Sequence, residues 1–235
     1  MGKVENNLKA IYNEKETNVI PANIAKGKKI FGVEGNYEGA VSYEDYDECL
    51  RLATNIKYSQ RTVIAPEIKA TFVDKSGAPD GNMSSYNYCT IDGSNSWWYR
   101  ALMKYDLSAV ENAMHITKAE VHFVLQGGND NYRESNSMIT PITQDWAENT
   151  VTWNNQPTFK VQSAKTPTFS VNQNIGYEFV IDITDIVIDW IINKEPNYGL
   201  CFKAVEEGYY RNNWNMYNRR YNNGQYATYI KITCY

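Results

Sequence analysis

Three acids open one short stretch, Asp182, Asp185 and Asp189 in DITDIVIDWIINKEPNYGL, residues 182–200. Such a cluster could hold a hard cation such as calcium or work as acid and base on a glycosidic bond. Catalysis would need a second group placed to hold or shift a proton, and nothing in the stretch supplies one. Asp145 and Glu148 in TQDWAENT form the other acid pair near aromatic residues, and loop and turn roles are expected for both. The two histidines, His115 and His122, belong to no nucleophile–base signature. His122 is expected to alternate out of its strand. No catalytic residue and no metal ligand is assigned, with calcium left open at a sandwich-edge loop.

Binding chemistry has better material. Sugars are gripped by flat aromatic faces against their C–H surfaces, with amide, acid and guanidinium groups bonding hydroxyls. DGSNSWWYR places Trp97, Trp98 and Tyr99 in succession. If these lie in a strand, Trp98 points to one face and its two neighbours to the other. EEGYYRNNWNMYNRRYNNGQY carries Tyr209, Tyr210, Arg211, Trp214, Tyr217, Arg219, Arg220 and Tyr221 among many Asn. These eleven residues are the candidate ligand face. Bracing of long loops or of an oligomer interface would use the same side chains. Trp146 and Trp153 are assigned to the core.

The composition narrows the partners. Net charge is -4 with both signs interspersed and no basic run, which argues against nucleic acid. No apolar window is long enough to span a membrane, and MGKVENNLKAIYNEKE lacks a signal-peptide core. The chain is therefore expected to be made in the cytoplasm, or to have lost a leader. The Met1–Gly2 start beside an incomplete helix leaves truncation open. Cys49, Cys89, Cys201 and Cys234 lie far apart without metal-ligand spacing. Buried thiols are expected, with a single disulfide left open.

Two regions must position these residues, 1–56 and 57–235. In the first, residues 4–12 and the Ser42–Ile56 segment show helical apolar stripes, Tyr46, Cys49, Leu50, Ala53 and Ile56 forming the second. Helices this short need a partner surface, and self-association is the preferred reading. In the second, segments 99–107, 116–125, 137–143, 177–183, 198–205 and 226–235 read as strands between Asn/Gly/Ser-rich loops. Val121, Phe123 and Leu125 share one face. A mainly-β, jelly-roll-like β-sandwich is expected, with one helix near 184–193 capped by Thr184.

Two resemblances follow from ordered words. VIPANIAKGKKIFGVEGNYEG (residues 19–39) resembles a short module repeated in tail and fibre proteins of phages and prophages of Gram-positive bacteria, matching at Pro21, Asn23, Ile24, Gly27, Ile30, Gly32, Val33 and Gly35. That resemblance implies a virion or tailocin setting, usually a trimer. RALMKYDL, TQDWAENTVTWNNQP, DITDIVIDW and NYGL together resemble the DNRLRE-type domain family, whose domains look like carbohydrate-binding modules. Tyr105 stands for the usual Phe and Ile183 for the usual Val. By that resemblance, Asp182, Thr184 and Asp185 end a strand and cap a helix, Trp190 packs into the sandwich, and Asp189 stays exposed.

The function expected is a non-catalytic tail-fibre or receptor-binding protein that takes host cell-surface polysaccharide or teichoic acid. It would act as a homotrimer, joined to other tail proteins through residues 1–56. The alternatives are a structural spacer or collar, and a targeting module of a larger extracellular protein.

Overall fold

The computed structural model describes residues 29–30, 33–34, 60–128, 134–170, 175–208 and 214–235. The helices expected at 4–12 and 42–56 lie outside the described residues. Within the Gly-rich module, β1 (Lys29–Ile30) and β2 (Val33–Glu34) pair antiparallel, Ile30 opposite Val33.

The strands that follow are β3 (Arg61–Asp74), β4 (Tyr88–Gly93), β5 (Trp98–Tyr105), β6 (Ile116–Gly128), β7 (Glu134–Pro141) and β8 (Thr168–Ser170). After them come β9 (Glu178–Asp182), α1 (Thr184–Ile191), β10 (Leu200–Ala204), β11 (Trp214–Tyr217) and β12 (Tyr229–Cys234). The fold is mainly β and sandwich-like. The strand order is β3-β12-β6-β11-β4-β5-β10-β7-β8, with β9 on β6, and a further β3–β5 pairing returns the path to its start. A ring of pairings leaves fewer open edges.

The chain divides into two compact units. The smaller takes in residues up to Thr62 with Ala113–Thr117 and Thr233–Tyr235. In it Met114 N–H donates to Tyr235 O, Tyr235 N–H donates to His115 O, and the His115 ring stacks on Tyr235. The larger, Val63–Asn112 with Lys118–Ile232, holds two apolar clusters. In one, Phe123 stacks on Trp214 and Phe179 and meets Phe202 edge-on, all at centroid distances of 5.3–5.7 Å. In the other, Val73, Leu102 and Cys201 meet Ile142, Trp146 and Val151, with Trp153, Phe159 and Tyr198 packed against them.

The family words interlock around this second cluster. Trp146 Nε1 donates to Tyr198 O at 2.9 Å, and Asn197 Nδ2 donates to Tyr105 O at 3.0 Å. Asn197 Oδ1 accepts Gly199 N–H. Gly199 has φ +101°, and a Cβ there would lie 2.1 Å from Met103 O. Only glycine lets β10 enter this close against β5.

The opening acids answer to separate structural tasks. Asp182 Oδ1 accepts both N–H (2.9 Å) and Oγ1–H (2.7 Å) of Thr184, the first helical residue of α1, and Ile183 stands at the N-cap without a side-chain cap bond. The expected cap thus moves one residue back, from Thr184 to Ile183, and the Thr184 hydroxyl accepts Ala119 N–H from β6. Asp185 pairs with Lys165 at 2.8 Å. Asp189 is half-buried rather than simply exposed, since Asn193 Nδ2 (2.9 Å) and Lys160 Nζ (3.4 Å) reach it. Trp190 is buried. Among the described residues no group of three or more His, Cys, Asp or Glu is placed to hold a metal ion.

His122 also departs from expectation. It is 7% exposed, because Tyr229 stacks on its ring at 4.5 Å while Nδ1 lies 3.2 Å from Glu178 Oε1. Cys89, Cys201 and Cys234 are free and buried. Burial pushes the Cys201 thiol up to about 12 and Cys89 higher still, which keeps both protonated and unreactive.

Candidate functional site

β5 divides the three adjacent aromatics. Trp97, just before the strand, is 43% exposed and stacks on Tyr99, with centroids 6.2 Å apart and planes 18° from parallel. Trp98 meets Trp153 edge-on at 6.2 Å. Lys75 Nζ sits 3.4 Å from the Trp98 centroid, and the Arg100 guanidinium lies 4.3 Å from that of Trp153. These are cation–π contacts made within the chain. Arg100 is itself gripped by both oxygens of Glu207, at 2.7 and 2.6 Å. The Trp98–Trp153 faces are therefore already covered by the protein's own cations. The open aromatic face belongs to Trp97 and Tyr99.

Acids and further rings surround that face. Tyr99 is paired in register with Asp74 of β3 and with Asp92 of β4, both buried. Burial, then the charges of Asp74 and Asp92, push the Tyr99 phenol up to about 12, so it stays a hydrogen-bond donor. Asp74 Oδ1 accepts N–H from Ser76 and Gly77, and Asp92 Oδ1 accepts N–H from Ser94. Each acid thereby fixes the turn that leaves its strand, an Asx-type turn. Phe72 underlies the group, meeting Tyr99 at 5.8 Å, Tyr86 at 5.3 Å and Tyr88 at 5.9 Å. Sequence reasoning passed over Tyr86, Tyr88, Asp74 and Asp92. The i, i+2 spacing of the tyrosines in SSYNYCTIDG is the signal that could have marked a strand.

The second aromatic segment splits among three tasks. Tyr209, Tyr210 and Arg211 lie outside the described residues. Trp214 corrects an expectation: it is 2% exposed, stacked on Phe123, with Nε1 donating to Ser137 Oγ at 3.1 Å. This Asn-rich stretch contains strand β11, whose period-two alternation carries Trp214 and Met216 into the core. Tyr217 is buried in a cluster with Tyr221 at 4.2 Å and Tyr226 at 5.1 Å. Burial, then its hydrogen bond with Tyr221, raises the Tyr217 phenol.

Arg219 and Arg220 are engaged elsewhere. Both guanidiniums pair with Glu148, Arg220 Nη2 at 2.7 Å. Arg220 Nη1 also donates to Ala70 O, and Glu148 Oε1 accepts Ala70 N–H at 2.6 Å. Burial works against the Glu148 carboxylate, but the Ala70 N–H and the two arginines hold it below the ordinary value. Glu67 completes the network, accepting Arg219 N–H and Thr228 Oγ1–H. Burial raises its carboxyl from 4.5 to about 7. Asp145, by contrast, stays on the surface, paired with Lys69 and Lys104.

With the sandwich, the ordered words and an open aromatic face beside buried acids in place, the sequence profile of carbohydrate-binding module family 96 matches residues 62–229. The chain belongs to this family. The profile spans β3 to the first residue of β12, and so the whole arrangement around Trp97. It supports carbohydrate binding by a module whose family is non-catalytic. No curated protein matches the chain.

Proposed function

We propose that the protein binds polysaccharide without cleaving it, through the Trp97–Tyr99 face. The observation that carries this reading is the exposure of Trp97, stacked on Tyr99 of β5, while its neighbour Trp98 is closed off by Lys75. An aromatic plane held by a strand needs no reordering before a sugar ring lies on it, which lowers the cost of binding. Tyr99 supplies a donor at the edge of the plane, and Asp74 and Asp92 hold the flanking turns in place.

The natural ligand on this reading is a host cell-surface polysaccharide or teichoic acid, and the setting a phage or tailocin tail fibre. The eight matching positions of residues 19–39 support that setting. Display in several copies, a trimer first among them, would convert weak single sites into avid attachment. A spacer or collar role is the second reading. The commitment of Trp214, Arg219 and Arg220 to internal contacts favours it, since these candidate residues then have structural employment.

A glycan array probed with the full chain, beside its solution mass by light scattering, separates the two. Retention on cell-wall glycans by an oligomer supports the fibre reading. An oligomer that ignores every glycan supports the spacer, and a glycan-binding monomer supports a targeting module of a larger protein.

A further inference from the structure

The open face does not stop at Tyr99. Its base, Phe72, touches Tyr86, which is 42% exposed, and Tyr88, and these two meet each other at 5.4 Å. Tyr88 is the register partner of Tyr217 across β4 and β11, and opposed residues in a ladder lie side by side. The same junction is tied by backbone: Asn218 N–H donates to Asn87 O, and Asn218 Nδ2 donates to Tyr86 O. From Tyr217 the rings pass to Tyr221 and Tyr226, themselves stacked at 5.9 Å. The turn that carries them bends through Asn222 and Asn223, both in the left-handed region at φ 41° and 56°. Both residues are exposed there, Asn222 Nδ2 donating to Gln225 Oε1 at 3.2 Å. Two runs of touching rings, Trp97–Tyr99–Phe72–Tyr86–Tyr88 and Tyr217–Tyr221–Tyr226, thus meet at the Tyr88–Tyr217 register pair, which brings together segments that the sequence separates by more than a hundred residues.

Resting on the binding reading above, we propose that this line is a single binding track, and that its ligand is an internal run of several sugars in a linear polysaccharide. A lone sugar or a chain end would need one closed recess with convergent polar groups. Here the acids nearest Trp97 direct Oδ1 to the backbone of their own turns, and the exposed rings of Trp97 and Tyr86 and the half-buried rings of Tyr221 and Tyr226 surface at separate points of the aromatic line, with the buried Phe72 and Tyr217 between them. Trp97 is the first subsite, Tyr86 the middle, and the Tyr221–Tyr226 pair with the Asn222 and Asn223 amides the last.

The test is calorimetric titration of the full chain with oligosaccharide ladders, monomer to octamer, of β-1,4-glucan, β-1,4-linked N-acetylglucosamine, β-1,4-mannan and poly(glycerol phosphate). The track predicts affinity rising at least about tenfold between dimer and hexamer of the ladder that binds. Tyr226→Ala should remove most of that rise, whereas Trp97→Ala weakens every length. A dimer that binds as tightly as the octamer overturns the track and leaves the binding reading intact. So does a Tyr226→Ala variant, folded by its melting curve, that keeps the full length dependence. No heat with any ladder overturns the binding reading and the track together.

Discussion

Trp97 lies over Tyr99 with ring planes 18° from parallel. The stack orients the larger ring outward from a residue whose other contacts are buried, Phe72 among them. Removing Trp97 therefore strips the proposed binding surface without opening the core. Trp97→Ala should leave thermal stability within about 0.5 kcal/mol of wild type. Trp98→Ala, which vacates space beside Lys75 and Trp153, should cost about 2–4 kcal/mol. Denaturant melts of the two variants check the contrast.

Gly199 tests the junction of β5 and β10. Its φ of +101° and the 2.1 Å approach of a Cβ to Met103 O leave no room for a side chain. Gly199→Ala should cost at least about 2 kcal/mol through strain alone, and a shift of β10 away from β5 would show as lost amide protection at Leu200–Phe202.

Glu148 joins three segments, accepting from Ala70 N–H and from both arginines. Glu148→Ala would remove the shared carboxylate of two part-buried guanidiniums, a loss of about 1–3 kcal/mol by equilibrium unfolding. Replacing Glu148 and both arginines together with apolar residues should recover much of it.

Glu67 sets a pH dependence whose sign is unusual for a carboxylate. Its carboxyl is raised by burial from 4.5 to about 7, so between these values the folded protein holds a proton that the unfolded chain has released. The stabilising contribution is complete below 4.5 and is lost as pH rises through about 7. The amount at stake is on the order of 3 kcal/mol. Melting temperatures of Glu67→Gln should fall less than those of wild type over this window. The depressed carboxyls of Glu148 and Glu207 act oppositely, losing their contribution as pH falls.

Much of the fold could be read from order and spacing, because Leu102, Trp146, Val151, Trp190 and Gly199 sit where a sandwich core and a close strand entry require those residue types. The alternation of Val121, Phe123 and Leu125 pointed inward as the pattern implies. The failures share a cause. Trp214 and Met216 alternate over only four residues inside an Asn-rich stretch, too short a run for periodicity to separate a strand from a loop. His122 follows the outward phase of β6, and only the arrival of Tyr229 and Glu178 from distant segments covers it. Of the proposed site, Trp97 and Tyr99 stand out in the sequence by type, whereas Phe72 and Asp74 join them through strand register and Tyr86 through ring contact, which composition does not carry.

The central claim is that Trp97 binds because of where it sits rather than because it is exposed and aromatic. Tyr177 provides the comparison, being 44% exposed on the segment that enters β9. Affinity electrophoresis of the full chain in gels containing the polysaccharide it retains would compare wild type, Trp97→Ala and Tyr177→Ala. The account predicts at least about a tenfold loss of affinity, about 1.4 kcal/mol, for Trp97→Ala, and retardation equal to wild type for Tyr177→Ala. Equal retardation of wild type and Trp97→Ala would contradict it.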